Sequence, residues 1–110
     1  MNWEEIEKKY PKAHGLFDDW YVGNIKISWK NFLLAPPRRL YDFFDENNLF
    51  IEVHVYNESI SGKLHFTAQI WEDAYSSALF ETKDHPTRPE AETEAFNKAF
   101  EILEKQLRKG

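Results

Sequence analysis

Cysteine is absent from this sequence, and glycine occurs only four times in 110 residues. The first absence excludes disulfides and thiolate metal sites, and nothing argues for secretion. The second leaves little backbone for a phosphate-cradling loop, and neither a Gly-x-Ser-x-Gly elbow nor a His-Glu-x-x-His site occurs. No apolar run approaches the length that crosses a bilayer. The opening Met1-Asn2-Trp3-Glu4-Glu5 holds neither a basic segment nor an apolar one, so a soluble cytoplasmic protein away from membranes is expected. Positive charge is in the minority: 14 Lys and Arg against 19 Asp and Glu give a net charge of −5. That balance opposes non-specific phosphate binding, which runs on displacing counterions with cations, and favours a basic protein surface as partner. Paired carboxylates occur, but nothing gathers them in one cleft, so neither enzymatic activity nor a cofactor is expected.

What is present is aromatic bulk, 16% of the chain, and one segment whose structure follows directly from its pattern. Thr87-Arg88-Pro89-Glu90 has the form of a capping box, with Pro89 in the first turn, where its missing N–H has no intrahelical partner anyway. From there Ala91, Ala95, Phe96, Ala99, Phe100, Leu103 and Leu107 recur at helical spacing and predict a helix over residues 87–109 with one apolar stripe.

Earlier in the chain, residues 2–10 predict a short helix capped by Asn2, with Trp3, Ile6 and Tyr10 on one face, ended or restarted by Pro11. Residues 12–21 predict a second helix offering Leu16, Phe17 and Trp20, weakened by Gly15. Gly23-Asn24 then reads as a turn into a short strand at 25–29. After Pro36-Pro37, residues 38–47 predict a helix with Leu40, Phe43 and Phe44 inward and a left-handed end at Asn47-Asn48. Strands are expected at 50–56 and 63–71, joined by a hairpin loop over 57–62, with a third at 75–82. The predicted class is α+β. A single domain is expected, with residues 1–35 an N-terminal helical extension and 36–110 an α-β-β-β-α core. In it Ile51, Val53, Val55, Leu64, Phe66, Ala68 and Ile70 face two helices across a three-stranded antiparallel sheet.

The outer face of that sheet carries the candidate chemistry. If the hairpin closes with Asn57 opposite Gly62, His54 falls opposite His65, with Glu52 diagonal to it. Two imidazoles and a carboxylate match part of a zinc site. A fourth ligand is missing, no metal is assigned, and the plainer reading is polar side chains on a solvated sheet. Phe50, Tyr56, Trp71 and Tyr75 on this face suit a partner surface or a stacking platform for single-stranded nucleic acid. Equally, they suit a seat for Trp3, Phe17 and Trp20 of the N-terminal helices. Acidic clusters at Asp18-Asp19, Asp42 with Asp45-Glu46, Glu72-Asp73 and Glu90-Glu92-Glu94 either imitate a phosphate array or simply solvate their surfaces. Arg38 and Arg39 stand at a helix start, where the dipole does not favour them, which marks them as contacts to test. The candidate partner-binding residues are therefore Glu52, His54, Tyr56, His65, Trp71, Arg38, Arg39, Glu90, Glu92 and Glu94.

The helix-strand-strand-strand-helix order over residues 37–107, ending in a Thr-Arg-x-Glu-Ala-Glu-x-x-Ala helix, resembles the double-stranded-RNA-binding domain. In that family the last helix opens with a basic Lys-Lys-x-Ala-Lys cluster and the first hairpin carries a Gly-Pro-x-His tip. Here the helix opens Arg88-Pro89-Glu90-Ala91-Glu92, and the hairpin offers Gly62 and His65 without the proline. A second resemblance is to small proteins encoded by bacteriophages and prophages. Asn2-Trp3-Glu4-Glu5-Ile6, Lys9-Tyr10-Pro11-Lys12-Ala13, Leu40-Tyr41-Asp42-Phe43-Phe44-Asp45-Glu46 and the final helix carry it. It implies a setting in which small acidic proteins bind and disable host defence machinery, including RNA-guided CRISPR effectors and their guide-RNA complexes. Three functions are thus in play. The first is a non-enzymatic protein-binding module of anti-CRISPR type. The second is a diverged RNA binder using Arg38, Arg39, Lys63 and His65, and the third a metal-dependent enzyme at His54 and His65.

Overall fold

The computed structural model describes residues 2–25, 38–58, 60, 62–72 and 77–109. It is an α+β fold in which, among the described residues, four helices and a three-stranded antiparallel sheet follow the order α1 (Trp3–Lys9), α2 (Pro11–Ile25), α3 (Arg38–Glu46), β1 (Phe50–Asn57), β2 (Leu64–Trp71), β3 (Phe80–Glu81), α4 (Arg88–Lys109). Asn2 caps α1 by accepting from the Glu5 N–H at 3.1 Å, and Pro11 opens α2. Its first-turn N–H groups find a remote acceptor. The Glu104 carboxylate on α4 takes the Ala13 N–H at 2.9 Å and so ties the start of α2 to the last helix. The predicted turn at Gly23-Asn24 does not form. α2 runs on through both to Ile25, because a helical glycine costs only about 1 kcal/mol while Phe17 and Tyr21 anchor the same helix in the core. The remainder of the strand expected at 25–29 lies outside the described residues.

One aromatic cluster organises the packing. Phe17 stacks on Trp3 at 5.7 Å and meets Phe43 and Phe100 edge-on at 5.0 and 6.1 Å. These rings come from α1, α2, α3 and α4, so the N-terminal helices share the main core with the elements after residue 37. Each fully buried Phe contributes about 1.5–3 kcal/mol of transfer free energy, and Phe17, Phe43, Phe44 and Phe100 are all fully buried. A smaller cluster of Ala68, Ala91 and Ala95, flanked by Ile51, Val53 and Phe66, seats the sheet close against α4.

The β1–β2 register sets Ile51 against Ile70, Val53 against Ala68 and Val55 against Phe66, the inward set expected. Burial fades toward the hairpin: Ile70 is fully buried, while Val55 and Leu64 are 51% and 54% exposed. The closing pair is Glu58–Lys63, with the Glu58 N–H donating to the Lys63 carbonyl at 2.8 Å. Gly62 takes φ 71°, a left-handed conformation cheap only for glycine, so it belongs to the turn and not to the strand. That shifts the register two residues from a closure at Asn57 and Gly62. His65 consequently opposes Tyr56, and His54 opposes Thr67. At the end of α3, Asn48 takes the expected left-handed conformation, φ 62°.

Of the strand expected at 75–82, residues 75 and 76 lie outside the described residues, and among 77–82 only Phe80 and Glu81 are strand. Gln69 pairs with Glu81 and Ile70 with Phe80, but beyond them the Thr82 hydroxyl, not a carbonyl, accepts the Ala68 N–H at 2.9 Å. The ladder resumes one residue later, where Phe66 and His85 exchange both backbone bonds at 2.8 and 2.9 Å. One extra residue between Glu81 and His85 is a β-bulge, and it reverses which face each later side chain takes.

Candidate functional site

The face of the sheet away from α4 is formed by Phe50, Glu52, His54 and Tyr56 of β1 and His65, Thr67, Gln69 and Trp71 of β2, as strand alternation and the register require. The described N-terminal helices do not pack there. Trp3 and Phe17 meet Phe43 and Phe100 on the other side of the molecule, while the Trp20 indole N–H is held by Glu46. Phe50 and Tyr56 remain 41% and 43% exposed. Trp71 is half-buried and its indole N–H has no hydrogen-bond partner.

The polar groups on this face are ordered in neighbouring pairs. Tyr56 stacks on His65, ring centroids 5.3 Å apart and 18° from parallel. The Tyr56 hydroxyl hydrogen-bonds the Asp84 carboxylate, which chiefly accounts for a phenol pushed up to about 12. His54 Nε2 lies 2.6 Å from Glu52, and His65 Nε2 lies 3.0 Å from Glu58. The opposed His54–His65 pair expected from the sequence is therefore not formed, and each imidazole holds its own carboxylate. Among the described residues no group of three His, Asp or Glu side chains is arranged to hold a metal ion.

Two acidic residues of α4, Glu92 and Glu104, are buried. Glu92 is buried and accepts the Tyr41 hydroxyl at 2.6 Å; burial, reinforced by that bond, drives the Tyr41 phenol far above its ordinary value. Glu94 takes His85 Nε2 at 2.6 Å, and Glu90 lies 3.9 Å from His85 Nδ1. Glu90 alone of the three remains exposed. Of the outward acidic face expected for Glu90, Glu92 and Glu94, Glu92 is withdrawn by Tyr41, Glu94 is held by His85 and stays partly exposed, and Glu90 stays exposed. His85 was not legible as a partner of α4: spacing in sequence places it on the opposite face until the bulge is counted. A shallow open groove beside it is lined by Lys83, His85, Pro89, Glu90, Thr93 and Glu94.

The basic candidates lie on separate elements. Arg38 and Arg39 are exposed on the first turn of α3, with Arg39 3.9 Å from Asp42, and Lys63 closes the β1–β2 hairpin. Arg88, at the helix start where the RNA-binding family has its basic cluster, sits over the Phe66 ring at 5.9 Å. Of the remaining acidic clusters, Asp45 is raised by partial burial and by Asp42 beside it, and Asp73 lies outside the described residues. No protein-family model matches this sequence, and neither the curated proteins nor the solved structures give a match.

Proposed function

We propose that this chain is a non-enzymatic protein-binding module whose contact surface is the outer face of the sheet, centred on Tyr56, His65 and His54 toward the hairpin, with Trp71 half-buried at its other end. The observation that carries this reading is that the described N-terminal helices spend their aromatic residues on α3 and α4 and leave Phe50 and Tyr56 exposed. Aromatic side chains among orientable polar groups, on a rigid sheet, are the composition of interface hot spots. In the setting that the resemblance to phage-encoded proteins suggests, the partner is a host defence nuclease, with an RNA-guided CRISPR effector or its guide-RNA complex as the first to try. The net charge of −5 suits a basic, nucleic-acid-handling surface.

Affinity capture from bacterial lysate, with and without nuclease treatment, tests the reading when repeated with Tyr56→Ala and Trp71→Ala. Expected is a defined protein complex that survives nuclease and is lost in the variants. Retention that vanishes with nuclease makes nucleic acid the ligand and overturns the proposal in favour of the RNA-binding alternative.

A further inference from the structure

Among the described residues β1 is an edge strand, paired with β2 on one side only. Backbone bonding alternates along an antiparallel strand, and the Glu58–Lys63 bond sets its phase. Glu52, His54 and Tyr56 therefore direct their N–H and C=O groups at β2, while Ile51, Val53 and Val55 direct theirs outward. The edge carries one exposed carboxylate, Glu52, and, among the described residues, few of the other devices that protect an edge. It is eight residues long, Phe50–Asn57, with no proline, no lysine and no break in register.

The chemistry of the strand is symmetric about Val53: aromatic Phe50, aliphatic Ile51, acidic Glu52, then His54, aliphatic Val55 and aromatic Tyr56. We propose that two copies of this chain pair β1 against β1, antiparallel about a two-fold axis at Val53, joining two three-stranded sheets into one of six strands. In this register Ile51, Val53 and Val55 meet the partner's Val55, Val53 and Ile51, so the outward backbone groups of these three residues find outward groups, while Asn57 falls beyond the pairing. On the open face Phe50 meets the partner's Tyr56, and Glu52 meets the partner's His54. The occupant follows from that self-complementarity. A one-residue slip sets outward backbone groups against groups already bonded to β2. The next permitted registers bring Glu52 against the partner's Glu52, or His54 against the partner's His54. The backbone pairing runs along the strand edge, while the side-chain pairs it forms include Tyr56 and His54 of the contact surface proposed above. The oligomeric state is read without any partner protein, so failure of the pairing is distinguishable from failure of that reading.

Sedimentation equilibrium of the full chain reads the assembly directly. Expected is a reversible species of twice 13.1 kDa. His54→Glu, which turns two symmetry-related attractions into repulsions, should raise the dissociation constant about tenfold. The exchanged pair Glu52→His with His54→Glu keeps acid opposite histidine in this register and should restore it. Val55→Lys, at a position already half-exposed, places a blocking charge on the edge without disturbing the core. Hydrogen exchange gives the residue-level signature: the Ile51, Val53 and Val55 amides gain protection as concentration rises, while those of Glu52, His54 and Tyr56 are protected throughout. A monomer at all concentrations overturns the proposal. So does a dimer indifferent to both His54→Glu and Val55→Lys, or one in which the three outward amides exchange freely.

Discussion

His85 stands opposite Phe66, one residue out of step with the Gln69–Glu81 and Ile70–Phe80 pairs of the same two strands. Three steps along β2 are matched by four on the returning chain. Because side chains alternate faces, that one residue turns His85 toward α4 and Glu94 and turns Asp84 toward Tyr56. Two contacts on opposite sides of the sheet thus depend on a single bulge.

Removing the Asp84 charge tests the outer contact. In Asp84→Asn the Tyr56 phenol should fall from about 12 toward its ordinary 10.0, followed by NMR titration of the tyrosine ring carbons. Deleting Lys83 removes the extra residue yet keeps His85 opposite Phe66 and Asp84 on the Tyr56 face, so the phenol should stay raised in that variant. A Tyr56 titration unchanged in Asp84→Asn would show that the Asp84 carboxylate does not raise this phenol.

Glu104 should behave as a cap supplied from the far end of the chain. Burial alone would raise its carboxyl. Donation from the Ala13 and Lys12 backbone and the Arg108 guanidinium outweighs that and holds it below the ordinary 4.5. A depressed folded value means stability that is present above 4.5 and lost as pH falls through it toward the lower folded value. Glu104→Gln should cost about 1–2 kcal/mol near neutral pH and should flatten the acid side of the stability profile. Urea melts of both proteins across the acid range measure this, and parallel profiles would contradict it.

Tyr41→Phe leaves the buried Glu92 carboxylate without its hydroxyl donor. The expected loss is about 1–3 kcal/mol, the usual cost of stranding a buried acceptor. Adding Glu92→Leu removes the stranded charge and should recover much of it, since replacing both partners avoids the desolvation penalty. A double-mutant cycle by chemical denaturation gives the coupling, and simple additivity would dismiss it.

The aromatic centre should tie the N-terminal helices to the rest of the fold. Phe17→Ala is expected to cost about 3–5 kcal/mol, a large share of the stability of a chain this size. A variant beginning at residue 36 would expose Phe43 and Phe100 and should lose cooperative unfolding, seen by thermal melts in circular dichroism. A cooperative transition in that truncated chain would mean that α1 and α2 are dispensable to the core.

Much of the architecture is written in local pattern. The stripe from Ala91 to Leu107 specifies α4, because a helix with that face has one way to bury it. Asn2 and Thr87 mark helix starts through bonds to residues three positions on, at 3.1 and 3.4 Å. The alternation in β1 and β2 separates an inward from an outward face, and the α+β order follows. Relations between segments distant in sequence are another matter. Periodicity is blind to a register shift of two residues, since every side chain keeps its face. Whether His65 meets His54 or Tyr56 was therefore decided by the left-handed Gly62. A bulge of one residue does exchange faces, and only the ladder beside β2 reveals it, which is why His85 carried no signal. The destination of Trp3 and Phe17 likewise required the fold: an apolar face states that it must be covered, and the shapes of Phe43 and Phe100 across the core determine by what.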